Sequence, residues 1–278
     1  MLFRSILTLF HLILVAQKPA AEDRWVDSVY QTMNDTERIG QMIMIRAHSN
    51  LGSEHIAEVE YLIKKYAVGS LCFFQGTPER QIELTNRYQK LSNIPLFVAM
   101  DAEWGLNMRL KSSTIPYPKQ MMLGAITDNR LIYRFGEVIG KECRRLGVHI
   151  NFAPSIDINN NRNNPVINER SFGDNMYNVA AKGFAYAKGM QDNNVMACAK
   201  HFPGHGDTPT PNSSLPTPRC FKPPAAVWQF GTLPLLRSSV NGRSGQNRWQ
   251  TNCADRLKGD YVTTITCRAL KRLRPRPC

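Results

Sequence analysis

Beyond its first 21 residues the 278-residue chain has no apolar run approaching the roughly 20 residues that a membrane-spanning helix needs, so no span is expected in the mature protein. Closely spaced cysteine pairs are lacking too. The seven cysteines stand apart and are odd in number, which leaves neither a complete disulfide framework nor a zinc knuckle. Cys72, Cys143 and Cys198 each sit in an apolar run and read as small buried hydrophobes. Acidic residues are scarce at one end only: residues 209–278 hold two acids against twelve Lys and Arg, so ten of the thirteen net positive charges fall there. The front part is nearly balanced and offers no basic face for nucleic acid. Clusters such as Lys271-Arg272-Leu273-Arg274-Pro275-Arg276 make the tail a conceivable binder of anionic polymers. Tyr261 is its only aromatic after Trp249, however, so stacking residues are sparse and no specific nucleic acid is expected.

Residues 1–21 run from Arg4 through an apolar stretch, 6–16, to the small residues Pro19-Ala20-Ala21, just ahead of Glu22-Asp23. This is the order of a cleaved secretory signal peptide, and export to the periplasm or beyond is expected.

From Trp25 onward helix-period segments alternate with short β-rich runs, the pattern of consecutive βα units around a parallel sheet. Apolar residues at three- and four-residue spacing predict helices over 26–33, 36–42, 53–66, 78–91, 128–145 and 177–193. Short runs that are β-rich or apolar throughout, as strands buried on both faces should be, predict strands over 42–46, 68–74, 95–100, 149–154 and 195–199. About five such strands, so spaced, predict the N-terminal part of a (β/α)8 TIM-type barrel over 22–208. Its chemistry would stand at the C-terminal strand ends. After Thr208 the alternation stops, and residues 209–278, which hold nine of the seventeen prolines, are expected to be irregular.

The unusual residues collect at those strand ends. The run 95–100 leads into Asp101-Ala102-Glu103-Trp104-Gly105, the run 149–154 into Asp157, an Asn-rich stretch and Glu169-Arg170-Ser171, and the run 195–199 into Lys200-His201-Phe202-Pro203-Gly204-His205-Gly206-Asp207-Thr208. Together they offer what a sugar site needs: carboxylates to accept from hydroxyls, cations to donate, and aromatic walls. Asp101, at the end of an apolar strand, fits a ligand carboxylate, a helix N-cap or a salt-bridge partner of Arg109. His201, His205 and Asp207 could in principle ligate a metal, but a His-x-x-x-His spacing works on a continuous helix and Pro203-Gly204 breaks one, so no metal is expected.

The stretch 200–208 resembles the signature of glycoside hydrolase family 3, in its β-N-acetylhexosaminidase branch. Three further pieces fit in order: Asp101-x-Glu103-x-Gly105 with Arg109; Asn151-Phe152-Ala153-Pro154 with Asp157; and Asn164-Pro165-Val166-Ile167 through Arg170-Ser171-Phe172-Gly173. The resemblance implies removal of terminal N-acetylglucosamine from chitin- or peptidoglycan-derived oligosaccharides, with retention and without a cofactor. Asp101, Arg109, Arg170, Lys200 and His201 would hold the sugar, on a loop shaped by His205, Gly206 and Asp207.

The resemblance also implies an Asp-Ser-His acid/base loop shortly after Gly-Asp-Thr and an Asp nucleophile in a later Ser-Asp strand end. Here the loop positions read Pro211, Asn212 and Ser213, none of which exchanges a proton near neutral pH, and no Ser-Asp pair follows Thr208. No catalytic residue is therefore identifiable, and an inactive chain, or a remnant that only binds sugar, is expected. The abrupt change at 209 fits a truncation or a shift of reading frame.

Overall fold

The computed structural model describes residues 21–202 and 204–208. The expected leader lies outside them apart from Ala21, as do the basic stretch 209–278 and Pro211, Asn212 and Ser213.

Helices α1 (Ala21–Thr32) and α2 (Asp35–Gly40) precede the first strand. A reciprocal capping box starts α2: the Glu37 amide donates to the Asn34 side chain at 3.0 Å, and the Asn34 amide to the Glu37 carboxylate at 2.9 Å. Strands and helices then alternate as β1 (Met44–Ala47), α3 (Ser53–Tyr66), β2 (Ser70–Phe73), α4 (Pro78–Leu91), β3 (Phe97–Met100), α5 (Gln120–Gly124), α6 (Asn129–Arg145), β4 (Ile150–Asn151), α7 (Met176–Asp192) and β5 (Met196–Ala197). All five expected strands form, each shorter than its apolar run, because the ends of those runs turn away into loops. The helix α5 was not expected, since five residues cannot display a 3.6-residue period. Among the described residues no helix is long and apolar enough to cross a membrane.

The five strands are parallel and their spatial order equals their chain order. Residues of α3, α4, α6 and α7 join Leu71, Phe73, Val98 and Met100 in one apolar cluster, so these helices cover one face of the sheet. A doubly wound sheet would reverse its strand order and carry helices on both faces; sequential order with one-sided helices is the front of a (β/α)8-type barrel. The alternate strand residues Met44, Cys72, Phe97, Ala99 and Ile150 form a second cluster on the other face, the barrel interior. Leu71, Phe73 and Leu84 are fully buried, and each side chain of this size contributes about 1.5–3 kcal/mol when removed from water. Cys72 and Cys143 are buried as expected, whereas Cys198 is half-exposed because it stands beyond the end of β5.

Helices α6 and α7 approach closely because glycines face the contact. A Cβ at Gly136 would stand 2.3 Å from the Tyr186 carbonyl oxygen, and one at Gly189 would stand 2.2 Å from the Tyr133 carbonyl oxygen. This packing places Tyr186 beneath the loop that follows β3.

Candidate active site

Three loops at the C-terminal strand ends build one polar cluster. The first leaves β3 at Asp101. Asn151 of β4 treats Ala102 as a strand neighbour would: its Oδ1 accepts from the Ala102 amide at 3.0 Å and its Nδ2 donates to the Ala102 carbonyl at 3.1 Å. Tyr186 Oη and Gln120 Nε2 both donate to the Glu103 carbonyl, at 3.0 and 3.1 Å. Side chains from three elements thus fix the backbone of Ala102 and Glu103, which holds Asp101 and Glu103 in place without relying on loop rigidity.

Asp101 is bridged by two cations. Lys200 Nζ lies 2.6 Å from its Oδ1 and Arg109 Nη2 lies 2.7 Å from its Oδ2, while Arg109 Nε donates to the Asp101 carbonyl at 2.8 Å. The Arg109 guanidinium also stands 4.9 Å from the centroid of the Phe74 ring, at the end of β2. The salt-bridge reading of Asp101 therefore holds, and Lys200 joins it.

Glu103 is wholly buried and more heavily paired. Arg170 grips it with two parallel bonds, Nη2 to Oε1 at 2.5 Å and Nε to Oε2 at 2.9 Å, and Lys200 Nζ approaches Oε1 at 2.7 Å. Burial pushes its pKa up, but the Arg170 hydrogen bonds and the Lys200 and Arg170 charges outweigh that and bring it down to about 2. The carboxylate is ionised at any working pH.

The third carboxylate, Asp157, is buried between the loops after β4 and β5. Its Oδ2 accepts from the His201 amide at 3.1 Å, from His201 Nδ1 at 2.6 Å and from Ser155 Oγ at 3.2 Å, and its Oδ1 accepts from the His205 amide at 2.7 Å. Arg170 Nη2 lies 3.3 Å from His201 Nε2, and a guanidinium can only donate. Nε2 therefore presents its lone pair, and Nδ1 carries the proton directed at Asp157. The loops are drawn together further by Gly206, where a Cβ would stand 1.7 Å from the Ile158 carbonyl oxygen. The Lys200–His201 and Ala153–Pro154 peptide bonds are cis.

The five sugar-holding candidates, Asp101, Arg109, Arg170, Lys200 and His201, thus meet in one place. His205 contributes its amide to Asp157, and its ring nitrogen Nδ1 is within 2.5 Å of Thr208 Oγ1. Gly206 packs, and Asp207 lies in the adjoining turn without an ion pair among the described residues. Among those residues no group of three His, Cys, Asp or Glu side chains is arranged to hold a metal. Glu103 and Asp157, read from the sequence only as motif members, are central to the geometry; Asn151 fixes the backbone before Glu103, and Phe74 stands under Arg109. The signal for Glu103 was its position two residues past Asp101 at the same strand end.

Three carboxylates and three cations at the C-terminal ends of parallel strands, joined by the His201 imidazole, stand where barrel enzymes carry their active sites. Residues 35–223 match the glycosyl hydrolase family 3 N terminal domain, and the chain belongs to that family. It is 38% identical over 163 residues to beta-hexosaminidase A of Pseudoalteromonas piscicida, which covers 54% of this chain and 27% of that protein. Among solved structures, a family 3 β-N-acetylglucosaminidase from Paenibacillus sp. str. FPU-7 superposes with a TM-score of 0.59 at 36% identity, over 64% of this chain and 35% of that one. NagZ from Neisseria gonorrhoeae in complex with N-trifluoroacetyl-D-glucosamine gives 0.53 at 27% identity, over 60% of this chain and 52% of that one. The chain spans under half the length of the curated relatives it matches. By family it is a glycosyl hydrolase.

Proposed function

We propose that the cluster around Asp101 holds the terminal N-acetylglucosamine of a chitin- or peptidoglycan-derived oligosaccharide, and that this chain assayed alone binds the sugar without hydrolysing it. The convergence of Asp101, Arg109, Arg170, Lys200 and His201 on one mouth carries the reading, because these residues come from three loops far apart in sequence. Asp101 can accept from sugar hydroxyls while Arg109 and Lys200 donate to sugar oxygens. Glu103 stays behind Arg170 and Lys200 and fixes their aim.

Retaining hydrolysis further needs a nucleophile at the anomeric carbon and a group that first gives a proton to the leaving oxygen and then takes one from water. The positions where the family signature continues read Pro211, Asn212 and Ser213, which supply neither proton transfer. Calorimetry with N-acetylglucosamine and a turnover assay with a chromogenic N-acetylglucosaminide test both halves of the proposal. Heat of binding with no released chromophore is expected. Absence of heat at millimolar ligand would remove the binding claim, and turnover that disappears on changing Lys200 or His201 would overturn the claim of inactivity.

Export is part of the same proposal, supported by the order Arg4, apolar stretch and small residues near Ala21. N-terminal sequencing of protein recovered outside the cytoplasm checks it, with a start near Glu22 as the expected result.

A further inference from the structure

Trp104 has no task in the cluster described above, although it follows the buried Glu103 directly. Its indole is half-exposed, and Lys119 Nζ lies 5.1 Å from the centroid of the ring. The same ammonium pairs with Glu169, the residue before Arg170, and the turn Asn168–Arg170 packs against α5. The indole therefore stands, through Lys119 and Glu169, beside the turn that carries Arg170.

We propose that Trp104 is the stacking platform for the second sugar of a β-linked N-acetylglucosamine oligosaccharide, the ring beyond the one held by Asp101, Arg170 and His201. The inference rests on the reading of that cluster as a sugar site. A pyranose whose substituents are equatorial presents faces of axial C–H groups, and such a face matches the flat, electron-rich surface of an indole. Lys119 marks the place, because a cation over the ring uses the same negative face that polarised C–H groups would use. Its hold is weak: Lys119 is 38% and Glu169 61% exposed, and an ion pair so open to water contributes little. A sugar ring can replace the ammonium at little cost, leaving Lys119 and Glu169 free to meet its hydroxyls or acetamido group.

The test compares binding of N-acetylglucosamine and its β-1,4-linked dimer to the full 278-residue chain and to its Trp104→Ala and Trp104→Phe variants, with a thermal melt of each variant as a fold check. The dimer is expected to bind about tenfold more tightly than the monosaccharide. Trp104→Ala should abolish that gain and leave monosaccharide affinity unchanged, while Trp104→Phe keeps part of it. Equal affinity for the two ligands in the unaltered chain would overturn the inference alone. So would a dimer gain that survives in a folded Trp104→Ala protein. Failure to bind either ligand would overturn the sugar-site reading and this inference with it.

Discussion

His201 Nδ1 lies 2.6 Å from Oδ2 of Asp157, a carboxylate 44 residues earlier in the chain and buried between the loops after β4 and β5. Asp157 also takes the amides of His201 and His205, so one acid orders both the imidazole and the backbone that carries it. In Asp157→Asn one oxygen becomes an NH2 group, and a donor then faces either His201 Nδ1–H or a backbone N–H. Leaving such groups unmet costs about 1–3 kcal/mol each. Asp157→Asn should lower the urea midpoint accordingly and weaken N-acetylglucosamine binding at least tenfold. Unchanged binding with lowered stability would show that the dyad holds the loop but not the ligand-facing nitrogen.

Glu103 supports a sharper comparison. It has no exposed surface, so it does not reach the ligand, yet Arg170 and Lys200 both rest on it. Removing one partner of a buried pair costs about 3–5 kcal/mol, since the remaining charge is left desolvated. Glu103→Ala is expected to destabilise by that amount in a chemical melt. Glu103→Gln, which keeps shape and one acceptor, should lose less stability while still reducing sugar affinity, because Lys200 would shift toward Asp101. Equal losses for the two variants would mean that charge, not packing, is what Glu103 supplies.

The helical contact under the site offers a test of coupling. Gly136→Ala would push a methyl group toward the Tyr186 carbonyl, 2.3 Å away, and Tyr186 is the residue whose hydroxyl holds the Glu103 carbonyl. Overpacking of this kind costs about 1–3 kcal/mol. A lowered melting temperature together with weakened sugar binding is expected; lowered stability with unchanged binding would show that the shift is absorbed before it reaches Glu103.

The elements that could be read in advance share a physical reason. β2 and β3 are buried on both faces, so Leu71–Phe73 and Phe97–Met100 appear as unbroken apolar runs, and α3, α4 and α6 are long enough for their apolar stripe to repeat. Two kinds of feature were not legible. The five residues of α5 are fewer than two helical turns, and they matter mainly because Gln120 reaches the Glu103 carbonyl. Asp157 is followed by the run Asn159 to Asn161, where its polarity does not stand out, and nothing local shows that it will be buried by a loop 44 residues later. Motif membership was legible; which motif residues are buried as supports depends on contacts distant in sequence.

The last prediction concerns acid. The Val98 amide donates to His149 Nδ1 at 3.0 Å, so the native state needs that nitrogen unprotonated. Burial, reinforced by the Arg144 charge, lowers the pKa of His149 from 6.5 to about 4. A histidine depressed on folding binds more protons in the unfolded chain, so stability is complete above about pH 6.5 and falls as pH drops toward about 4. The shift is equivalent to at most about 3 kcal/mol. Glu103 does not contribute in this window, because its depression to about 2 affects stability only below its ordinary value of 4.5. His149→Asn keeps an acceptor for the Val98 amide and does not titrate. Urea midpoints measured from pH 7.5 down to 4.5 should therefore fall for the unaltered chain and fall less for the variant, in which His48, also lowered from 6.5 by burial, still titrates. Parallel falls in both would assign the acid sensitivity to other groups, and the Val98 bond would then be a consequence of packing and not a proton-sensitive joint.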